Sequence, residues 1–148
     1  MTRLLVTVAL VLAVTAPAIA HTASNRFWGE VPVDMLLSGD ALIVKPLVVA
    51  DDVTLTIEPG TVVRFEGSKD GGNRIVVKGR LVAVGTKGKP IRFIPKDAKC
   101  GPWYGLEFAA GGGGRIENCI IEGATKGIVD EGKKVSVKGV SFVKPSTK

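Results

Sequence analysis

The stretch VTLTIEPGTVVRF, residues 53–65, decides how the rest of the chain is read. It holds two short apolar runs, 53–57 and 61–65, and between them the chain breaks at Pro59-Gly60, residues that favour turns. Neither run is long enough to carry a core alone. The same pattern continues outward: apolar runs at 75–77, 81–84, 91–93, 106–108, 116–121, 135–137 and 140–142 are separated almost everywhere by glycine. Ile91-Arg92-Phe93, Leu106-Glu107-Phe108 and Val140-Ser141-Phe142 each put two apolar residues on one face and a polar one on the other. That alternation belongs to short strands with an inside and an outside. No window beyond residue 20 keeps the i, i+3, i+4, i+7 stripe of a helix. The expected class is all-β.

The strands repeat. Leu55-Thr56-Ile57-Glu58 matches Ile75-Val76-Val77-Lys78 twenty residues on, and residues 115–121 match 136–142 at an offset of twenty-one. A period of about twenty with turns between strands is the signature of a solenoid, in which successive turns of chain stack to share one interior. Residues 96–102 and 68–73 break the period and are expected to protrude as loops. The run Gly111 to Gly114 has no following helix and no Lys-Ser pair, so it reads as a flexible turn rather than a phosphate cradle.

An open solenoid end exposes strand edges and must be covered. Residues 26–40 carry Phe27, Trp28, Val31, Val33, Met35, Leu36 and Leu37, enough apolar surface to serve as an N-terminal cap within a segment 21–41. The repeat domain then spans 42–148. At its far end, 140–143 runs into Lys144-Pro145-Ser146-Thr147-Lys148 with no comparable cover, which leaves that end as a face for a protein partner or a second copy.

Ahead of the cap, Arg3 and an apolar run over 4–14 lead to Ala18-Ile19-Ala20, the layout of a cleaved export signal over residues 1–20. The run is shorter than the ~20 residues of a spanning helix, and no second such run follows. The expected product is secreted or periplasmic, without membrane insertion after cleavage. Cleavage removes Arg3 alone among the charged residues, so the formal net charge falls from +6 to +5. These charges are dispersed and no aromatic residue is interleaved with a basic cluster, which argues against nucleic acid. A mild basic excess suits a loose attraction to anionic polysaccharide or another envelope component.

Cys100 and Cys119 are the only cysteines and His21 is the only histidine, too few for a closed zinc site of the usual kind. The offset of twenty-one aligns Cys119 with Val140 and points it inward. Export favours a Cys100–Cys119 disulfide and the inward placement disfavours it; the balance tips to a bridge because both cysteines survive into an oxidising compartment.

Residues 53–65 also resemble the opening coil of bacterial right-handed parallel β-helix proteins of the pectin-lyase-like superfamily. The resemblance continues through Ile75-Val76-Val77, Gly79-Arg80-Leu81, Gly85-Thr86, Pro90-Ile91-Arg92-Phe93, Trp103-Tyr104-Gly105-Leu106-Glu107-Phe108, Ile116, Cys119, Ile121, Gly123-Ala124 and Gly127-Ile128, covering roughly 42 to 142. It implies a short right-handed parallel β-helix. For function it implies less, because the superfamily holds polysaccharide lyases, glycoside hydrolases, adhesins and exported proteins of other roles.

Resemblance to its lyases implies acidic calcium ligands and an arginine base. The acidic candidates are Asp51, Asp52, Asp70, Asp97, Asp130 and Glu131, but a calcium ion needs about six converging oxygens and their spacing supplies no such cluster. Asp51-Asp52 reads better as the turn before Val53. Resemblance to the hydrolases implies clustered carboxylates with a nearby Gly-His, which residues 42–142 lack. No catalytic residue, metal or cofactor is therefore assigned. Trp103 and Tyr104 are the candidate ligand-binding pair, since aromatic rings on a solenoid face stack against sugars. The competing reading makes Trp103 a lid over the interior, and because tryptophan at this point is a fold feature of the family, that reading is preferred. The expected function is non-catalytic recognition or assembly at the cell envelope, with polysaccharide as the ligand class. A reduced polysaccharide lyase or hydrolase is the alternative, and a structural subunit of a larger extracellular complex is the third.

Overall fold

The computed structural model describes residues 25–144; the expected export signal, His21 and the final Pro145-Ser146-Thr147-Lys148 lie outside them. Fourteen strands occur in this span: β1 (Arg26–Val31), β2 (Met35–Leu37), β3 (Asp40–Val49), β4 (Thr54–Ile57), β5 (Val62–Phe65), β6 (Arg74–Val77), β7 (Arg80–Val84), β8 (Ile91–Pro95), β9 (Trp103–Phe108), β10 (Gly113–Glu117), β11 (Cys119–Glu122), β12 (Ala124–Asp130), β13 (Val135–Lys138) and β14 (Ser141–Val143). There is no helix among the described residues. Every strand pairing is parallel. The chain is all-β.

Parallel pairing forbids tight hairpins, so each strand must be reached by a crossover. Here the crossovers are themselves strands. One column of pairs runs through the first half of β3, then β5, β8, β11 and β14; a second runs through the other half of β3, then β6, β9 and β12. A third runs β2, β4, β7, β10, β13. The chain visits first, second and third column in that order throughout, and β1 lies along both halves of β3.

Alternation within each strand sends every second side chain to a shared interior. Val63, Phe93 and Ile121 form one inward file. Leu47, Ile75 and Leu106 form another, and Leu55 and Leu81 a third. All of them are buried. Thr61 and Asn73 are the buried polar residues among those described; the Thr61 hydroxyl donates to the Glu58 carbonyl at 2.7 Å.

Several sequence expectations change here. Residues 55–58 do not pair with 75–78: Leu55 pairs with Leu81 in the third column, whereas Ile75 lies in the second, between Leu47 and Leu106. Strands of different columns carry the same alternation, so the offset of twenty matched strands of two columns instead of paired strands of one column. The offset of twenty-one holds, with Ile116 paired to Val137 and Ile121 to Phe142. The run 116–121 is two strands, split where Asn118 takes a left-handed φ of 48° and its amide donates to the Gly85 carbonyl. The expected cap is built as strands too: β1 and β2 pair in parallel with β3 and β4 and bury Phe27, Val31 and Leu37. The glycine run is not a free turn, because Gly113 and Gly114 belong to β10.

Candidate functional site

The longest crossovers, 66–73 and 96–102, both connect the first column to the second. They lie against each other, so closely that a Cβ on Gly67 would fall 1.5 Å from the Cys100 carbonyl oxygen. Asn73 fastens the first of these loops: it is buried, and its amide donates to Ile43 at 2.8 Å and Glu66 at 2.7 Å. The second loop walls a groove of ≈ 340 Å³ on the outer face of the first column. Arg64 of β5, Arg92 and Ile94 of β8 and Glu122 of β11 form its floor, and Lys96 and Asp97 lie on the loop side.

Outward positions on successive strands of a parallel column stand about 5 Å apart, so side chains of opposite charge meet across the layers. Arg64 Nε donates to both carboxylate oxygens of Asp40 at 3.2 and 3.3 Å. Arg92 reaches Glu122 at 3.8 Å, and Lys96 Nζ lies 3.2 Å from Glu66. Exposed pairs of this kind contribute at most about 1 kcal/mol each. Their exchangeable guanidinium donors can instead grip a carboxylate or sulfate in the fork geometry that arginine favours. Asp97 is held below the ordinary aspartate range, first by the Cys100 thiol and then by the Lys99 backbone N–H, so it stays anionic at the groove wall.

Trp103 is wholly buried. Its ring stacks on Phe65 with centroids 3.8 Å apart and planes 6° from parallel, while Nε1–H donates to the Glu122 carbonyl at 2.8 Å. The lid reading describes this placement, and no ring face is left for a ligand. Tyr104 points the other way, and the Arg74 guanidinium lies 3.9 Å from its ring centroid. That guanidinium also donates to Glu107 at 2.9 Å, so Tyr104 is half of a cation–π pair.

The disulfide is not formed; both thiols are free. Cys119 pairs with Ile91 at the start of β8, whereas Cys100 lies past the opposite end of that strand, beside Gly67. At ~3.3 Å per residue the strand between them sets the two Cα atoms well over ~10 Å apart, beyond the ~7 Å limit for a bridge. The inward placement of Cys119 holds: it is buried, with its thiol 3.2 Å from the Glu117 carbonyl and 3.3 Å from that of Ala83. Burial pushes its pKa up to about 12 from 9.0. A thiol that keeps its proton longer folded than unfolded costs stability as pH climbs from 9.0 towards about 12, and nothing below that window. Alkylation at pH 8 without reductant is expected to label Cys100 rapidly in the folded protein and both thiols after denaturation. A mass two hydrogens short of the reduced chain, with no label taken up, would restore the bridge.

Asp51 and Asp52 form the expected turn, with Asp52 at a φ of 61°. They border a shallow depression with Lys78 and Arg80. Among the described residues no three His, Cys, Asp or Glu side chains converge as a metal site. Sequence reasoning missed the groove because its members come from three strands and a loop; the arginine and glutamate at alternate positions of the column were the available signal. No family model matches the chain, and neither the curated proteins nor the solved structures hold a match to it.

Proposed function

We propose that this is a short right-handed parallel β-helix protein similar to the pectin-lyase-like superfamily, exported and acting in recognition or assembly at the cell envelope. The ordered cycling of the chain through three parallel columns supports the β-helix reading, with each circuit one coil. The groove between Arg64, Arg92 and Lys96 carries the functional reading. It is lined by three cations and by two carboxylates, Asp97 and Glu122; the cations' ion pairs are with exposed carboxylates, so an acidic sugar can exchange for those partners at little cost. Polysaccharide of the anionic class is the ligand this favours, and non-catalytic binding is the role.

An array of neutral, uronate-bearing and sulfated oligosaccharides tests it. Binding is expected on the acidic members only, and an Arg64→Ala/Arg92→Ala variant should lose about tenfold or more in affinity, the scale of one charge-assisted contact. Equal binding of neutral glycans, or an unaltered affinity in the variant, would remove the groove from the account.

A further inference from the structure

The last turn of the stack ends in a step. β11, β12 and β13 complete one circuit of the three columns, and β14 opens the next in the first column alone. Phe142 of β14 continues the inward file of Phe93 and Ile121 and is 59% exposed. Its ring lies over Gly127 of β12, where a Cβ would stand 3.1 Å from it. Among the described residues no strand lies in the third column of that layer. The position above β13 is therefore open, with Phe142 beside it and Val137, 44% exposed, below.

β13 is a hydrogen-bonding edge as well as an apolar one. Among the described residues it pairs with β10 and with no other strand. The Lys134 and Lys138 carbonyls accept from the Gly114 and Asn118 N–H groups of that side, at 3.3 and 3.0 Å. Backbone groups alternate in direction along a strand, so those of Val135 and Val137 face the open side. The Val135 N–H is taken by the Asp130 carboxylate at 3.1 Å. The Val137 N–H and both valine carbonyls point at no strand among the described residues. An unpaired edge above an apolar file is a template for strand addition.

Charge states the kind of strand. Lys133 and Lys134 lie at the entrance of β13 and Lys138 at its exit, all exposed. None of the three is in an ion pair among the described residues. The Asp130 carboxylate is occupied by the Lys134 and Val135 backbone N–H groups. Residues 124–144 carry Lys126, Lys133, Lys134, Lys138 and Lys144 against Asp130 and Glu131, a net of +3. Lysines on an edge oppose a second copy, which would bring its own lysines to the same place. They attract an acidic strand. An anionic bilayer would attract them too, but its hydrocarbon would leave the Val135 and Val137 backbone groups unpaired.

We infer that β13 is a docking edge for an extended acidic segment of a partner protein, with apolar residues at alternate positions and carboxylates at both ends. Its apolar side chains sit over Val135 and Val137 and against Phe142. Its backbone pairs with Val137, and its carboxylates reach Lys133, Lys134 and Lys138. None of these residues lines the groove, so the glycan array can fail without touching this inference.

The full-length protein is titrated with a labelled peptide of alternating valine and threonine flanked by paired glutamates. Binding is expected, weakening as salt rises and by about tenfold or more in a Lys133→Glu/Lys134→Glu variant. Two N-methylated forms of the peptide read the edge itself, because alternate N–H groups of a strand point to opposite sides. Methylation of one alternate set should weaken binding about tenfold or more, and methylation of the other set should leave it within about twofold.

No binding, equal affinity of the two methylated peptides, or an unchanged affinity in the lysine variant would each overturn the proposal. Equal affinity of the methylated peptides, together with displacement by phosphatidylglycerol vesicles, would assign the lysines to a membrane surface instead. Circular dichroism shows whether the lysine variant folds; if it does not, the methylated peptides, which use the unaltered protein, carry the decision.

Discussion

Replacing Trp103 with alanine is expected to remove ~3–5 kcal/mol of stability, the range for deleting a large aromatic from a closed core. The ring is wholly buried and stacked on Phe65, so its loss opens a cavity next to a second aromatic that cannot collapse into it. It also strands the Glu122 carbonyl, which accepts from the indole. Trp103→Phe separates the two effects: it keeps a ring and drops the donor, and should cost nearer the ~1 kcal/mol of a single net hydrogen bond. Urea midpoints at constant slope measure both. An alanine variant within ~0.5 kcal/mol of the parent would mean that Trp103 faces solvent, and would return it to the candidate ligand sites.

The second large effect is expected at Gly114. Its inward position in β10 pairs with Leu81 in β7 and Val135 in β13, and a Cβ there would stand 1.9 Å from the Leu81 carbonyl oxygen. That atom is backbone in a paired strand and cannot move aside. Gly114→Ala should therefore cost at least the ~1–3 kcal/mol typical of overpacking, and Gly114→Val should prevent folding or push the β10–β14 region out of register. Gly88 is the control, because a Cβ there meets nothing within 4 Å; Gly88→Ala is expected to stay within ~0.5 kcal/mol of the parent. Equal tolerance at the two positions would contradict the close contact of β10 with β7.

The expectation at Gly114 runs against the reading of residues 111–114 as a flexible turn, and the difference shows what local sequence can carry. Alternation reports which residues face inward, because a strand has a period of two wherever it lies. It put Ile91 with Phe93 and Leu106 with Phe108 on the inner face and placed Cys119 inside, and all five are buried. Alternation does not report which column a strand belongs to. Residues 55–58 and 75–78 read alike although one lies in the third column and the other in the second. Neither does it show why a glycine is present: a turn and a close approach between layers both call for glycine, and only the partner strand distinguishes them. Strand β12 escaped for a related reason. Ala124-Thr125-Lys126-Gly127 carries almost no apolar signal, and the strand exists because its backbone pairs with β9.

The groove was illegible on different grounds. Arg64, Arg92 and Glu122 are far apart in sequence and become neighbours only through the pairing of β5, β8 and β11. The aromatic pair Trp103-Tyr104 drew attention because it is adjacent and large. Adjacent strand residues face opposite sides, so one ring of such a pair tends to be consumed by the core. Trp103 is that ring.

Binding without turnover is the central claim, and product analysis on an acidic polymer tests it most directly. The protein is incubated with polygalacturonate, with and without calcium, and the polymer is followed by ultraviolet absorbance for unsaturated ends and by mass spectrometry for chain length. We predict a polymer recovered at its starting length in both conditions, retained on the protein through Arg64 and Arg92. Unsaturated or shortened products that disappear in an Asp51→Asn/Asp52→Asn variant would contradict it and make the protein an enzyme.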